Sequence, residues 1–266
     1  QSGSGSQGGS GGQGTQGVCS FDPNDKVGPN GHGDKNYVTP GTLMPFAIYY
    51  ENDPEFASAA AQIVRIEDPL SSNFDWSTFE LGDINLFGDF VIDVPDGLSF
   101  YETMADLREK GVDLLVRVTA GLDGETGIAS WLFESLDPET LDAPTDPFAG
   151  FLAVNDKNTH VGEGHVDYSI RTLADLTSGV EITNQAFNYF DINEAVPTPI
   201  TLHTIDNGLP TSRVSVLPAQ VPDDPFTVTW SGTDETNGSG VGSYTIFVSQ
   251  DGGPWKVWLR NTAETS

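Results

Sequence analysis

The chain has 266 residues, of which 39 are acidic and 11 basic, so its formal net charge is −28. Nucleic acids and anionic membrane surfaces attract clustered lysine and arginine, so this balance argues against both as partners. The length suits one large or two ordinary domains. We see no signal-peptide pattern and no apolar run that could span a bilayer, so a secretion signal is expected upstream of Gln1 if the protein is secreted.

The first 18 residues are rich in Gly, Ser and Gln, which is typical of a flexible linker. Two motifs occur there by chance, a dinucleotide fingerprint at 3–8 and a nucleophile elbow at 8–12. Both need a strand before them and a helix after them, and neither is present. Cys19 follows as the single cysteine, so it forms no disulfide within this chain, and its partner stays open.

Apolar and polar residues alternate from Leu43 onward, which predicts half-buried strands. The segment "LMPFAIYY" places Phe46, Ile48 and Tyr50 on one face, and "GHVDYSIRTL" repeats the pattern. The segment "LLVRVTAGLDGETGIASWLFESL" predicts a hairpin, and "GVEITNQAFNYFDIN" is expected to pair back on "GHVDYSIRTL". The segment "FYETMADLREKG" is the one predicted helix. Short strands separated by Gly, Pro, Asn and Asp predict an all-β, immunoglobulin-like β-sandwich with long loops over 19–207.

A second unit is predicted after a proline- and glycine-rich linker over 208–225. Within 226–266, "FTVTWSG" alternates, and "SYTIFVSQDGGPWKVWL" predicts a hairpin around Asp251-Gly252-Gly253. About three strands are visible, whereas a complete immunoglobulin-like sandwich has ~7. We therefore predict a partial immunoglobulin- or fibronectin-like module, whose apolar faces are covered by strands from elsewhere.

Calcium is the cofactor that the acidic turns favour, because Ca²⁺ binds carboxylate and carbonyl oxygens. The spacing after Asp22 does not fit an EF-hand loop, since Lys26 and Val27 occupy its fifth and sixth positions. Oxygens from separate loops could still share one ion, and the loops at 22–25 and 191–193 are expected to lie close together. The alternative is that these side chains cap their own turns. The candidate ligands are Asp22, Asn24, Asp25, Asp53, Asp191 and Asn193.

No pattern points to catalysis. The segment "HVGEGH" contains His160, Glu163 and His165, but its glycines indicate a loop, and the spacing matches no zinc-protease motif. Pairs of carboxylates suited to glycoside hydrolysis arise by chance among so many acids. We therefore predict a protein that is not an enzyme.

Lys26 is expected to be structural, in an exposed pairing with Asp22 and Asp25 that contributes only ~0–1 kcal/mol. A different outcome follows if Lys26 is buried against an amide side chain with a carboxylate beside it. In that case an intramolecular isopeptide bond becomes feasible, and the protein would be lighter than its sequence by one ammonia.

The segments "SFDPNDKVGP", "LMPFAIYYEND", "FDWSTFELGDI", "GEGHVDYSIRTLADLTSGVEITNQAFNYFDINEAVPTP" and "HTID" occur in this order. This succession resembles a repeat domain of unknown function found in very large bacterial surface and secreted proteins. The resemblance covers Ser20 to Asp206. It implies an immunoglobulin-like fold and a modular extracellular protein without enzymatic activity. The second unit resembles the first strands of a fibronectin type III-like module, which implies a spacer or a binding surface.

Three functions are consistent with these patterns. The first is a structural or adhesive segment of a large secreted or cell-surface bacterial protein, stabilised by calcium. The second is a subunit of an extracellular filament assembled by strand exchange, and the third is an accessory region of a secreted hydrolase. The expected partners are other domains of the same parent protein or other copies of this chain, without nucleic acid or membrane insertion.

Overall fold

A computed structural model describes residues 24–217, 220 and 225–266. Strands account for nearly all of the regular structure, together with a short 3-10 helix at Arg108–Lys110. The strands are β1 (Lys26–Val27), β2 (Tyr37–Val38), β3 (Leu43–Glu51), β4 (Ile63–Pro69), β5 (Phe74–Phe87), β6 (Phe90–Ile92), β7 (Phe100–Asp106), β8 (Leu115–Asp123), β9 (Ile128–Leu136), β10 (Glu163–Thr172), β11 (Glu181–Asn184), β12 (Phe187–Phe190), β13 (Val196–Pro197), β14 (Thr201–Ile205), β15 (Thr211–Val214), β16 (Trp230–Thr233), β17 (Tyr244–Val248) and β18 (Lys256–Thr262).

Two antiparallel sheets form the body of the protein. The first has the order β1-β3-β10-β5-β6, and the second has the order β13-β12-β4-β9-β8-β7. A smaller sheet, β11-β14-β2, lies beside them and contains a parallel pair between β14 and β2. The predicted all-β, immunoglobulin-like sandwich is confirmed.

The core lies between the two large sheets and is built from alternate residues of each strand. The inward faces of β3 and β10 are those that the alternation predicts, and the second sheet contributes large aromatic side chains. These residues belong to one contiguous buried cluster, which includes Phe46, Ile48, Tyr50, Val166, Tyr168, Ile170, Trp131 and Phe133.

Two predictions are wrong, one about a helix and one about strand pairing. The predicted helix "FYETMADLREKG" is instead strand β7 followed by the 3-10 turn, because β7 pairs with β8 from Phe100↔Gly121 to Asp106↔Leu115. A segment of that length gains little from helix formation alone, so the sheet edge prevails. The segment "GVEITNQAFNYFDIN" does not pair with β10, because β3 and β5 already occupy both sides of that strand. It forms β11, which pairs with β14, and β12, which pairs with β4.

The C-terminal unit consists of two two-stranded sheets, β15-β16 and β17-β18. The predicted hairpin around Asp251-Gly252-Gly253 is confirmed, and Asp251 and Gly252 both have positive φ. Strand β15 lies in the range predicted as a linker and pairs with β16. The domain boundaries themselves stay predictions. Across the described residues, no helix is long and apolar enough to cross a bilayer.

Hydrogen bonds join the sandwich to the C-terminal unit. The backbone N–H of Ser239 donates to Asp206 Oδ2 at 2.9 Å, and the hydroxyl of Ser178 donates to Glu235. Partial burial alone would raise the pKa of Asp206, but hydrogen bonding by the side chain and backbone N–H of Ser239, together with the Gly208 N–H, outweighs it and holds that pKa below its ordinary value. The contact therefore favours a charged Asp206.

Candidate functional site

A buried ion pair connects the two sheets through the core. The Lys26 ammonium donates to Asp68 Oδ2, and both side chains are fully buried. The expectation that Lys26 is exposed is therefore wrong. Because successive residues of a strand point to opposite faces, Lys26 of β1 points inward while Val27 points outward.

The strands explain why these two charges meet. Lys26 pairs with Ile48 of β3 in the first sheet. Asp68 belongs to β4 in the second sheet, where Val64, Ile66 and Asp68 occupy successive inward positions. The ion pair therefore spans the space between the sheets, at a position where the pattern of β4 would place an apolar residue.

Tyr168 and Asn184 extend this ion pair into a network of four side chains. The hydroxyl of Tyr168 donates to Asp68 Oδ2 at 2.7 Å, and Asn184 Nδ2 donates to that hydroxyl at 3.3 Å. The Lys26 ammonium lies 5.0 Å from the ring centre of Phe46 and 5.4 Å from that of Tyr168. Two aromatic rings and one carboxylate oxygen thus lie beside this cation. We call Lys26, Asp68, Tyr168 and Asn184 the core network.

Burial dominates the electrostatics of the core network. Burial lowers the pKa of Lys26 to about 8, although the charge and hydrogen bond of Asp68 act in the opposite direction. Burial, followed by the charge of Asp68, raises the pKa of Tyr168 well above its ordinary value. The other oxygen of Asp68, Oδ1, and the single side-chain oxygen of Asn184 are buried and have no hydrogen-bond partner among the described residues. Such orphaned acceptors are uncommon in folded proteins.

A second buried amide, Asn188, lies nearby on β12. It stands opposite Ile66 of β4, two residues from Asp68 on the same strand. Its Nδ2 donates to Asn24 Oδ1 at 3.1 Å and to the Tyr49 carbonyl at 2.9 Å. Asn188 therefore attaches β12 to the segment that precedes β1, outside the core network.

Three of the predicted calcium ligands accept hydrogen bonds from backbone N–H groups, within their own turns at Asp25 and Asp53 and from the start of β4 at Asp191. Asp25 Oδ1 accepts from the Lys26 N–H, Asp53 Oδ1 from Glu55 N–H, and Asp191 Oδ1 from the N–H groups of Gln62 and Ile63. The Asn193 N–H donates to the Phe190 carbonyl. Asp22 lies outside the described residues, and Asn24 bonds to Asn188.

Within the described part of the chain, no three His, Cys, Asp or Glu side chains are grouped so that they could share a metal ion. The calcium site stays a prediction. In "HVGEGH", His160 Nδ1 lies 2.9 Å from Glu163 Oε2, whereas the ring of His165 packs on Tyr49 at 5.2 Å between ring centres.

Sequence reasoning missed Asp68, Asn184 and Asn188 as functional candidates. The available signal was polarity at inward-facing strand positions. Asp68 follows Val64 and Ile66 in the alternation of β4, and Asn184 follows Ile182 in that of β11. A carboxylate or carboxamide at such a position must find a partner inside the core.

Comparison with known families gives one match. The model of a domain of unknown function, DUF7619, matches residues 149–204. This segment lies within the range of the sequence resemblance and includes Tyr168 and Asn184, while Lys26 and the opening motif lie outside it. No curated protein matches the chain significantly.

Solved structures resemble the chain distantly. They include the C-terminal domain of the Streptococcus pyogenes antigen I/II-family protein AspA, with 13% identity and a TM-score of 0.36. The alignment covers 45% of the AspA chain and 68% of this chain. The N-terminal domain of the Streptococcus gordonii adhesin Sgo0707 is 12% identical, with a TM-score of 0.39. That alignment covers 33% of the adhesin chain and 69% of this one. A collagen-binding domain from a Staphylococcus aureus adhesin is 14% identical, with a TM-score of 0.34. That alignment covers 100% of the collagen-binding domain and 71% of this chain. This chain thus spans less than half of the first two.

Proposed function

We propose that this chain is a structural or adhesive segment of a larger secreted or cell-surface bacterial protein. The core network is the observation that carries this proposal. Its charged and polar groups are buried between two sheets, where they contact the protein's own strands. Groups placed in this way hold the sheets together. The resemblance of the sequence to bacterial surface repeats supports the same assignment.

Surface labelling of intact bacteria tests this proposal. Antibodies raised against the folded sandwich should label unpermeabilised cells that produce the parent protein, or should detect it in the culture medium. External protease should remove the cell-bound signal, and an abundant cytoplasmic protein should survive the same treatment as a control. A signal that appears only after permeabilisation would contradict the proposal.

Self-association is a second candidate function, and the C-terminal unit favours it. Several of its large apolar side chains are at least half exposed, with exposed fractions of 55% for Phe247, 72% for Trp255 and 52% for Trp258. Exposed apolar side chains of this size favour an interaction surface. Another copy of this chain would cover it through the strand exchange expected of a filament subunit.

Light scattering over a range of concentrations tests self-association. Particle mass should rise with protein concentration, and a Trp255→Ser, Trp258→Ser variant should stay monomeric. A wild-type protein that remains strictly monomeric at high concentration excludes the filament. A catalytic domain elsewhere in the parent gene would instead favour the third candidate, an accessory region of a hydrolase.

A further inference from the structure

We propose that Lys26 and Asn184 are joined by an intramolecular isopeptide bond, which forms inside the folded sandwich with Asp68 as the acid–base group. One buried network brings together an amine, a carboxylate and a carboxamide. This proposal does not depend on where the protein resides.

The surroundings of Lys26 make its amine reactive. A lysine in water is almost entirely protonated at neutral pH and has no lone pair for attack. Burial lowers the pKa of Lys26 to about 8. About a tenth of the population is therefore neutral at pH 7, and Asp68 is already positioned to accept the proton.

Asn184 is the amide that shares the network with Lys26. Its Nδ2 contacts the Tyr168 hydroxyl, which in turn contacts the carboxylate oxygen that Lys26 contacts. The Nδ2 of Asn188 instead bonds to Asn24 and to the Tyr49 carbonyl. Asn188 Oδ1 is also buried without a partner among the described residues, but the contacts of its Nδ2 lie outside the core network.

The orphaned oxygens indicate where a proton belongs during the reaction. Asp68 Oδ1 and Asn184 Oδ1 both lack a partner among the described residues, and an ionised carboxylate cannot donate to a carboxamide. A proton that moves from Lys26 to Asp68 turns the carboxyl group into a donor. Such a donor can polarise the carbonyl of Asn184 and stabilise negative charge on its oxygen during attack.

The reaction is balanced without an oxidant or a co-reactant. The ammonium of Lys26 gives one proton to Asp68, and the neutral amine attacks Asn184 Cγ. The Nζ–Cγ bond forms and the Cγ–Nδ2 bond breaks. Asp68 passes a proton to the departing nitrogen and takes up the surplus proton of the new amide, so ammonia leaves and Asp68 ends protonated. A buried ion pair is thereby replaced by neutral groups, which need less solvation.

Intact-mass spectrometry of the purified chain is the first test. The wild-type protein should be lighter than its sequence by one ammonia, and the Lys26→Arg variant should not be. Arginine retains the positive charge beside Asp68 but does not give up its proton. This variant is the matched control because cyclisation of Gln1, or succinimide formation at the Asn-Gly pairs beginning at Asn30, Asn207 and Asn237, also releases ammonia.

Peptide mapping of the wild-type protein then identifies the bond. Tandem spectra should show a branched peptide that joins Lys26 to Asn184. The Asn184→Ala variant should have the full mass, whereas Asn188→Ala should still lose ammonia. Asp68→Asn should be unreacted or should react at least a hundredfold more slowly.

Several results would overturn the proposal. One is the recovery of unlinked Lys26 and Asn184 peptides from the wild-type chain. Another is a branched peptide that contains Asn188. The third is an Asn184→Ala variant that still loses ammonia through a bond to Lys26. The wild-type mapping decides the matter even if a variant fails to fold.

Discussion

The sandwich and the C-terminal unit have the same alternating sequence pattern but bury it to different extents. In the sandwich, Trp131 and Phe133 are completely buried between two sheets. In the C-terminal unit, Trp230 is buried and its indole N–H donates to the Glu264 carbonyl, whereas Trp255 and Trp258 are largely exposed. Alternation therefore shows which face of a strand is apolar, but it does not show whether a second sheet covers that face.

The two regions also differ in what crosses their interior. The sandwich has an ion pair whose partners belong to opposite sheets. In the C-terminal unit, β15 pairs with β16 and β17 with β18 through local ladders. We expect substitutions to lower the free energy of unfolding far more in the sandwich than in the C-terminal unit, and the predictions below test this contrast.

The largest effect is expected for Lys26→Met. Removing one partner of a buried pair leaves Asp68 without its counterion, which costs ~3–5 kcal/mol. In a chain that carries the proposed cross-link in place of the ion pair, the loss is instead the loop-closure entropy known from disulfides, ~5 kcal/mol for a loop of this length. Urea unfolding followed by circular dichroism measures the loss.

Lys35→Met is the control for that substitution. Lys35 lies 3.7 Å from Glu181 and more than half of its side chain is exposed, so the loss should be ~0–1 kcal/mol. Similar losses for the two variants would mean that the core network contributes no more than a surface pair.

A matched pair of phenylalanines tests the difference in burial. Phe133 is fully buried and Phe247 is 55% exposed. Phe133→Ala should destabilise the protein by ~3–5 kcal/mol because it leaves a cavity. Phe247→Ala should change stability by less than ~1 kcal/mol. Thermal melting of both variants provides the comparison, and an equally large loss at Phe247 would show that another surface covers this side chain.

The junction between the two regions should depend on Asp206. Asp206→Ala removes the acceptor for the Ser239 and Gly208 N–H groups and should weaken the junction by ~1–2 kcal/mol. NMR relaxation should then give the two regions separate tumbling times. Asp234→Ala is not a suitable control because Asp234 also accepts backbone bonds, so Asp251→Ala in the distant hairpin serves instead.

The same contact predicts a pH dependence. The pKa of Asp206 is lowered in the folded protein, so its contribution is complete above the unfolded value of ~3.9 and is lost as the pH falls through the folded value. The tumbling times should separate in wild type under acid conditions, while Asp206→Ala should show separate times at every pH. A wild-type junction that is unchanged well below pH 3.9 would contradict this assignment.

Calcium is expected to have the smallest effect. Extracellular modules bind Ca²⁺ with Kd values of ~0.1–1 mM, so ~2 mM calcium would add ~1 kcal/mol. Thermal melting in calcium and in chelator tests the predicted ligands, with Asp191→Asn as the informative variant. An identical melting temperature in both solutions would exclude a structural calcium site.

The sequence predicts the apolar faces of the strands better than it predicts strand partners or the residues of the candidate site. The inward faces of β3 and β10 are predictable because apolar side chains alternate there without interruption. The partners of β11 and β12 were not predictable, because a local turn signal gives no information about distant strands that already occupy both sides of β10. Lys26 and Asp68 lie 42 residues apart in sequence, so their pairing depends on how two sheets face each other.

The first strand also determines how the domain responds to mechanical tension. Within the described residues, the ladder of β1 comprises two residue pairs, Lys26↔Ile48 and Val27↔Ala47, and the Tyr49 N–H donates to the Asp25 carbonyl beside it. A pull on the N-terminal side would unzip so short a ladder one pair at a time. The Lys26 side chain reaches Asp68 of the opposite sheet and lies beside the rings of Phe46 and Tyr168, so the same pull must also displace this side chain from the core network. One side chain that crosses the core therefore adds to the resistance to stretching at this end of the domain.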